Sequence, residues 1–528
     1  MKKSVIAAIK EELQREFVLE KPANLSFGHY ATPLAFSLAK ELKKSPIAIA
    51  EELASSFSTN GLFQEVTPIK GYINFKLSET FLDTYATWAL EHEDAFGKDE
   101  KHESILLEYV SANPTGPLHI GHARGAVMGD ALFRIGKHLG YKIHSEYYVN
   151  DAGNQVDLLG LSLYLSGREQ ILGLSVEWPE QFYRGEYIVD LAYVAKEELG
   201  IEIFNEESNI ALLASWGKDK MLELIRSNLA DVGIEFENFV SEKALYDQWD
   251  ASFQKLQKSG KTYEEGGKIW IASTELGDEK DRVVVREDGR PTYLAGDIIY
   301  HNNKFEREFD HYINIWGADH HGYITRVKAA IHFLGYDETK LEVLLAQMVS
   351  LLKGGEPYKM SKRAGNFILM SDVVEEIGND ALRFVFLSKK SDTHLEFDVD
   401  VFKQEDSNNP IFYIQYAHAR INQIFTKADK SVDDVKNVAL SGLSEDAQNL
   451  LFNALLLPEV LDDAFHSRQI QKLTEYLKTL AAALHKFYNE NRVVGSQEEA
   501  HYLKLFAIVA LSLRTGLKLI GITAKDKM

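Results

Sequence analysis

A buried strand leads into a glycine-bearing loop and then a long helix between residues 104 and 139 of this 528-residue chain. The same order of strand and helix recurs further along. This alternation is typical of a parallel sheet covered by helices and predicts a Rossmann-like domain. Strands are predicted at 104–111, 142–149, 311–316 and 342–350, and helices at 121–139, 153–165 and 320–334.

The parallel-sheet pattern occupies only the middle of the chain, so we expect a multidomain α/β protein. Residues 1–90 combine helical periodicity with a strand-like alternation, which predicts a small N-terminal α+β domain. Residues 376–528 carry long amphipathic stretches, which predict a C-terminal all-α helical bundle. The middle domain, 101–375, contains an acidic stretch at about 161–290. That stretch is too long for a crossover and is interpreted as an inserted subdomain.

The composition is that of a soluble globular protein, with 45% apolar and 26% charged residues. The absence of cysteine excludes disulfides and thiolate metal sites. No apolar run reaches the length of a membrane-spanning helix, and the first residues do not form a signal-like segment. We therefore expect a cytoplasmic protein without a membrane partner.

The net charge of -21 argues against a polyanionic partner, but the charge is unevenly distributed. Residues 1–78 hold 10 Lys and Arg against 8 Asp and Glu, and residues 410–528 hold 14 against 13. Residues 161–290 hold 15 against 26. The two ends can present a basic face to RNA, although solvated helix surfaces would give the same counts.

The segment from Ser111 to His122 lies where the first strand meets the first long helix. A helix N-terminus offers free N–H groups to a phosphate, and Gly116 and Gly121 let the backbone approach it closely. His119 and His122 project toward one side, where they can hydrogen-bond a nucleoside triphosphate. A metal pair and a helix cap are alternatives. No third ligand cluster supports a metal, so we expect no structural metal.

A cationic loop follows the last predicted strand. Three cations in five residues, flanked by glycines, suit a mobile clamp for a pyrophosphate leaving group. A solvated basic loop has the same composition. The loop consists of Lys359, Met360, Ser361, Lys362 and Arg363.

Together, the histidine segment and the cationic loop resemble the ATP-binding motifs of class I aminoacyl-tRNA synthetases. Within that class, four strings are similar to arginyl-tRNA synthetases. The resemblance covers essentially the whole chain, and it departs from the common second motif only in having Arg363 in place of Ser. The four strings are Glu108–His122, Tyr147–Gln155, Trp316–His321 and Asp380–Arg383.

The resemblance implies a ligase that attaches L-arginine to tRNA(Arg) in two steps. The arginine carboxylate first attacks the α-phosphate of ATP, supplied with Mg²⁺, to give arginyl-adenylate and diphosphate. A ribose hydroxyl of the tRNA then attacks the adenylate and releases AMP. His119 and His122 would stabilise the first transition state, while Lys359 and Lys362 would hold the diphosphate.

The resemblance and the ends of the predicted strands together give a set of ATP-binding candidates. Gly317, Asp319 and Met348 are included because they follow strands at the expected crevice. The full set is Pro114, Gly116, His119, Gly121, His122, Gly317, Asp319, Met348, Lys359, Met360, Ser361 and Lys362.

The resemblance also implies five arginine-binding residues, namely Glu108, Asn113, Tyr293, Asp297 and His321. A guanidinium is a planar fork of donors that carboxylates and a phenolic oxygen recognise well. Tyr293 and Asp297 share one face if their segment is helical. A structural ion pair for Glu108 and a solvated helix position for Asp297 are the alternatives.

The terminal domains are similar to the family's tRNA-binding units. Asn74 in the first domain is a candidate contact to the tRNA elbow. Tyr413, Tyr416, His418 and Arg420 in the last are candidates to stack on or bond to unpaired bases. Aromatic residues at helical spacing also occur in cores. The acidic insertion is not expected to be the main RNA surface, and we expect a monomer.

Two other functions are compatible with parts of the sequence. A small-molecule nucleotidyltransferase also uses a His-x-Gly-His loop on a similar sheet, but the two flanking domains and the arginine-type strings disfavour it. A catalytically inactive tRNA-binding paralogue is disfavoured because both histidines and both lysines are present.

Overall fold

The computed structural model describes residues 1–22, 24–57, 61–358 and 367–528. It confirms the expected fold class: an N-terminal α+β unit, a parallel sheet with helices, and a C-terminal helical unit. Within the described ranges, no helix is both long and apolar enough to cross a membrane.

The N-terminal unit is a small antiparallel sheet packed on helices. Alternation in its central strand buries Ile73, Phe75 and Leu77, which is the pattern of a half-buried strand. Ser45 and Ser78 cap the helices that follow them. Its elements are α1 (Lys2–Leu13), β1 (Tyr30–Thr32), α2 (Leu34–Leu42), α3 (Pro46–Ser56), β2 (Phe63–Ile69), β3 (Tyr72–Leu77) and α4 (Glu79–Glu91). The strand order is β1-β3-β2.

The middle of the chain alternates strands and helices. Its first half contains β4 (Ser104–Glu108), α5 (Ile120–His138), β5 (Lys142–Val149), α6 (Asn154–Gln170), α7 (Glu186–Leu199), α8 (Ile210–Asp231), β6 (Asn238–Ser241) and α9 (Glu242–Leu245). Its second half contains α10 (Trp249–Lys258), β7 (Thr262–Glu265), β8 (Lys268–Ile271), β9 (Arg282–Val285), α11 (Tyr293–Glu306), β10 (His311–Gly317), α12 (Tyr323–Phe333) and β11 (Leu341–Ala346).

A parallel sheet in the order β11-β10-β4-β5-β6 lies at the centre of this region. Its interior strands β10 and β4 are nearly continuous apolar runs, because helices cover both faces. Neighbouring parallel strands all end at one edge, which brings Glu108, Val149 and Gly317 to the same side of the domain.

The acidic stretch at 161–290, called the insertion here, contains helices, one strand of the main sheet and a small antiparallel sheet. Helices α6, α7 and α8 share a separate apolar cluster, and β7, β8 and β9 form a small antiparallel sheet. Between them, β6 pairs in parallel with β5 and completes the main sheet. Residues 238–241 escaped sequence analysis because four residues are too few for periodicity to show.

The last predicted strand is two strands, since Gln347 and Met348 interrupt the pairing. The C-terminal region begins with β12 (Val349–Lys353), β13 (Glu356–Pro357), α13 (Met370–Ile377), α14 (Asn379–Leu387) and β14 (Leu395–Asp398). It continues with the helices α15 (Pro410–Ala428), α16 (Val432–Val435), α17 (Glu445–Leu455), α18 (Leu457–His466), α19 (Gln471–Glu490) and α20 (Glu499–Leu519).

Arg383 joins three regions that are distant in sequence. Its fully buried guanidinium pairs with Asp130 of α5 and donates to the carbonyls of Val232 at 2.9 Å and Ile520 at 2.7 Å. The helix that begins at the histidine segment is therefore fixed to the C-terminal bundle. Gly521 follows Ile520 with a φ of +70°, and a Cβ there would lie 2.3 Å from the Arg383 guanidinium carbon.

We predict that G521A destabilises the protein more than G442A. Gly442 has a similar φ of +67° but nothing within 4 Å of its Cβ position. Both variants carry the cost of a left-handed alanine, about 1 kcal/mol. G521A also displaces a buried, hydrogen-bonded guanidinium, which adds about 2 kcal/mol or more to the loss of unfolding free energy. Denaturant unfolding measures both, and equal losses would contradict this account of Arg383.

Candidate functional site

A cavity of about 320 Å³ opens at the carboxyl edge of the parallel sheet. Strand β4 and its following loop, the end of β5, the start of α6, α9, α11 and the end of β10 all contribute to its wall. Three predicted arginine-binding residues, Glu108, Tyr293 and Asp297, line it together. Its position is the crevice where ligands bind in open parallel sheets.

Glu108 ends β4 with a partner of its own. The fully buried Lys304 on α11 pairs with the Glu108 carboxylate and also donates to Asn314 Oδ1 at 2.8 Å. The Ser111 hydroxyl donates to the other carboxylate oxygen, at 3.0 Å. Glu108 therefore faces the cavity as one half of a buried ion pair, which was the alternative that the sequence left open.

Asp297 and Glu242 are the cavity carboxylates that lack a salt bridge among the described residues. Burial, followed by the charges of Glu242 and Glu108, raises the pKa of Asp297 to about 7. Burial also raises the pKa of Glu242 above its ordinary value. Two like-charged groups that repel each other in a poorly solvated cavity form a strong site for a cation.

Gly296 on α11 has no side chain, which allows the Glu242 carboxylate to approach this helix closely. A Cβ on Gly296 would lie only 2.1 Å from Glu242 Oε1, so any other residue would push the carboxylate away. Ser241 caps α9 and thereby fixes the position from which Glu242 projects. Sequence analysis missed Glu242. The short β6 strand that places it gave no pattern that could have signalled it.

Two stacked tyrosines, Tyr148 and Tyr300, form hydrogen bonds with carboxylates next to the cavity. Burial, followed by the charge of Glu242, raises the pKa of Tyr148, which keeps this hydroxyl protonated and hydrogen-bonded to Glu242. Its ring stacks on Tyr300 at 4.2 Å between centroids. The Tyr300 hydroxyl donates to Glu146 at 2.9 Å, and Arg307 binds both oxygens of Glu146. Although burial opposes it, Arg307 holds the pKa of Glu146 below its usual range.

Tyr293 lies at the mouth of the cavity, whereas the predicted residues Asn113 and His321 are not part of its lining. Tyr293 is 67% exposed and its ring lies 3.5 Å from the Cβ position of Gly153. It begins α11, so its predicted helical relation to Asp297 is confirmed. Asn113 Nδ2 donates to Gln155 Oε1 at 2.6 Å. His320 lines the cavity, whereas the predicted His321 lies outside its lining.

His119 and His122 lie together at the first turn of α5. Their rings stack with centroids 3.6 Å apart, and His119 Nδ1 accepts a hydrogen bond from the Gly121 N–H at 3.1 Å. Burial lowers the pKa of His119. Burial, followed by the charge of His119, lowers the pKa of His122 to about 3. Both imidazoles are therefore neutral at pH 7 and can donate a hydrogen bond from one ring nitrogen.

The cationic loop, with Lys359, Met360, Ser361 and Lys362, lies outside the described residues. The described residues after this loop pair with the backbone next to His119. Residues 368–370 pair with residues 118–120 through an Ile120 N–H to Ile368 carbonyl bond of 2.9 Å and a Met370 N–H to Leu118 carbonyl bond of 3.0 Å. The Phe367 ring lies 5.6 Å from that of His119.

Arg124 fixes a second wall beside the histidines. Its buried guanidinium donates to the carbonyls of Gln347, Thr393 and Lys390 at 2.7–3.0 Å. These bonds hold the break between β11 and β12 against α5. Met348 follows Gln347 and is 66% exposed.

The other predicted ATP-binding residues lie in two places. Gly317 is the last residue of β10 and Asp319 follows the strand; both are exposed. The Asp319 carboxylate lies 2.4 Å from the Cβ position of Gly317. Pro114 is buried and Gly116 half-buried in the loop after β4.

The predicted tRNA-binding residues differ in accessibility. Asn74 is 3% exposed and its amide lies 3.4 Å from the Thr67 carbonyl. Tyr413, Tyr416 and Arg420 are half-buried on α15. Arg420 donates to the Tyr416 hydroxyl at 2.9 Å and its guanidinium lies over that ring.

The candidate His418 does not lie on the surface that a base could reach. It is buried, and Nδ1 lies 2.9 Å from the Lys525 carbonyl. At position 418, helical periodicity directs the side chain into the bundle.

Three family models match the chain. They are described as the arginyl-tRNA synthetase N-terminal domain over residues 1–77, the class I (R) tRNA synthetase catalytic domain over 87–425 and the DALR anticodon-binding domain over 414–528. An arginine–tRNA ligase of a Nitratiruptor species is 66% identical over 528 residues, which cover 100% of both sequences. The chain belongs to the arginyl-tRNA synthetase family.

Solved structures agree with that membership. A structure described as an arginyl-tRNA synthetase from Campylobacter jejuni is 61% identical, with a TM-score of 0.83, and the match covers 86% of this chain and 100% of that one. The arginyl-tRNA synthetase of Thermus thermophilus is 21% identical, with a TM-score of 0.77 and 100% of both chains covered. At that identity it supports the fold alone.

We predict that D297N stabilises the ligand-free protein increasingly as the pH rises from 5 to 8. The folded-state pKa of Asp297 is about 7, whereas an unfolded aspartate has about 3.9. Between these two pKa values the native state keeps a proton on Asp297 that the unfolded state has released. The free energy of unfolding of the parent protein therefore falls by on the order of 1 kcal/mol per pH unit up to pH 7.

Denaturant unfolding at several pH values measures the difference in unfolding free energy between D297N and the parent protein. D247N, at an exposed position, is the matched control. A constant difference between D297N and the parent protein would contradict the raised pKa.

Proposed function

We propose that the carboxylate-lined cavity holds the side chain of L-arginine and that the histidine pair holds the phosphates of ATP. As a member of its family, the protein attaches L-arginine to tRNA in an ATP-dependent reaction. The assignment of residues depends above all on Glu242 and Asp297, two cavity carboxylates with raised pKa values and no salt bridge among the described residues. A guanidinium satisfies both the charge and the planar geometry of such a pair.

Arginine binding in this proposal uses three kinds of contact. Asp297 and Glu242 accept hydrogen bonds from the guanidinium, and the Tyr293 hydroxyl closes the mouth over it. Glu108 contributes its remaining lone pairs while Lys304 neutralises its charge. Asn113 binds the α-amino or carboxylate end, and His321 adjoins it after a movement of the exposed segment at the end of β10.

ATP binding uses the N-terminus of α5, with Mg²⁺ entering as part of the substrate complex. Neutral His119 and His122 donate hydrogen bonds to the α-phosphate as charge develops on it. Lys359 and Lys362 hold the departing diphosphate. The remaining predicted contacts supply backbone groups or the adenosine wall, namely Pro114, Gly116, Gly121, Gly317, Asp319, Met348, Met360 and Ser361.

The tRNA contacts the two terminal domains, which are nearly neutral in an otherwise acidic chain. In the first domain, exposed Phe36 and Tyr72 form an aromatic pair with centroids 5.3 Å apart, while Asn74 shapes the strand beneath. In the last domain, Tyr413, Tyr416 and Arg420 offer rings and a cation to unpaired bases.

The proposed molecular state is a cytoplasmic monomer. Its mass of 59.8 kDa makes sedimentation a direct test of the oligomeric state. The proposed domains are residues 1–90, 101–375 with the insertion, and 376–528.

We predict arginine-dependent exchange between ATP and pyrophosphate, measured across all amino acids with and without tRNA. H122N and K362A should lower kcat at least about 100-fold, because each removes a group that acts on the developing phosphate charge. H138N, at the other end of α5, is the matched control and should retain activity.

Exchange with another amino acid would contradict the assignment of the cavity, and full activity of H122N would contradict that of the histidines. Absence of exchange in both conditions would favour the inactive paralogue.

A further inference from the structure

Three tyrosine side chains hold the short loop between β4 and α5. From β5, Tyr147 donates its hydroxyl to the Ala112 carbonyl at 2.8 Å. From the acidic insertion, Tyr187 donates to the Thr115 carbonyl at 3.3 Å. Tyr183, just before α7, shares a side-chain hydrogen bond with Thr115. The loop is therefore held from the sheet on one side and from the insertion on the other.

The Tyr187 bond fixes the orientation of one peptide group. The chain has no cis peptide bond among its described residues, so the Thr115 carbonyl and the Gly116 N–H point in opposite directions. When Tyr187 holds the carbonyl toward the insertion, the Gly116 N–H faces away from it. Within the described chain, the Gly116 N–H has no hydrogen-bond acceptor.

Gly116 is the last N–H donor before Pro117, which has none. An oriented N–H that has no acceptor within the described residues adds a donor to those at the start of α5. The Tyr187 hydroxyl also lies 3.4 Å from the Cβ position of Gly116, so the tyrosine limits how far the loop can move toward the insertion.

We infer that Tyr187, assisted by Tyr183, is a positioning residue that aims the Gly116 N–H at an ATP phosphate. This inference rests on the proposed function of the loop in ATP binding. It gives the insertion a role in the first reaction step, because Tyr187 belongs to the apolar cluster of α6, α7 and α8. In this inference the Gly116 N–H binds ATP, so arginine binding should not depend on Tyr187.

The test compares Y187F with Y193F. Both tyrosines lie on α7, and each donates its hydroxyl to a backbone carbonyl at 3.3 Å, but Tyr193 contacts Gln170 within the insertion. Phenylalanine keeps both rings, so the ring at position 187 still packs against the apolar cluster. The two variants therefore lose similar hydrogen bonds, and only Y187F loses one to the loop.

We expect Y187F to lower kcat/KM for ATP by about 2- to 10-fold in pyrophosphate exchange, which corresponds to one neutral hydrogen bond. The KM for arginine and the melting temperature should stay at the parent values. Y193F should match the parent in all three measurements, and Y183F/Y187F should show a larger loss for ATP than Y187F alone.

Equal kcat/KM for ATP in Y187F and Y193F would overturn the inference, as would an equal effect of Y187F on ATP and arginine. H122N separates this failure from failure of the proposed function. If H122N impairs ATP use and Y187F does not, only the role of Tyr187 is rejected. If neither variant impairs ATP use, the assignment of the whole loop to ATP is rejected.

Discussion

The buried ion pair between Lys304 and Glu108 determines the electrostatics of the sheet edge. Strand β4 places the Glu108 carboxylate in the wall of the cavity, and α11 supplies Lys304, which neutralises its charge. Removing one partner of such a pair would leave an uncompensated buried charge. Because Glu108 is already paired, Glu242 and Asp297 are left to attract a positively charged ligand. In the proposed function this excess of negative charge favours the arginine guanidinium, because Lys304 is already paired with Glu108.

Other buried cations connect the parts of this acidic chain. Arg124 ties α5 to the break between β11 and β12, and Arg383 ties the same helix to the C-terminal bundle. Lys504 of α20 reaches the N-terminal unit, with its ammonium 2.8 Å from the Thr87 hydroxyl and also bonded to Asp83. Each of them donates to backbone carbonyls, which hold specific segments in place. Helix α5 is thereby connected to the C-terminal bundle, and the bundle to the N-terminal unit.

Sequence patterns predicted the parts of the site that depend on local periodicity. The strand, loop and helix around His119 and His122 follow from apolar spacing, and Tyr293 and Asp297 share a helix as expected. Glu242 could not be found in this way, because a four-residue edge strand and a glycine on another helix bring it to the cavity. The same limit applies to Asn74, whose burial is decided by tertiary packing.

Proton release upon arginine binding is the most direct test of the two uncompensated carboxylates. Titration calorimetry at pH 7, with saturating tRNA and in buffers of different ionisation enthalpy, measures it. A group with a pKa of about 7 is half protonated, so a bound guanidinium should release about half a proton per arginine. D297N should abolish that release. Binding without proton release, or an unchanged release in D297N, would contradict the central claim that the cavity recognises arginine through Asp297 and Glu242.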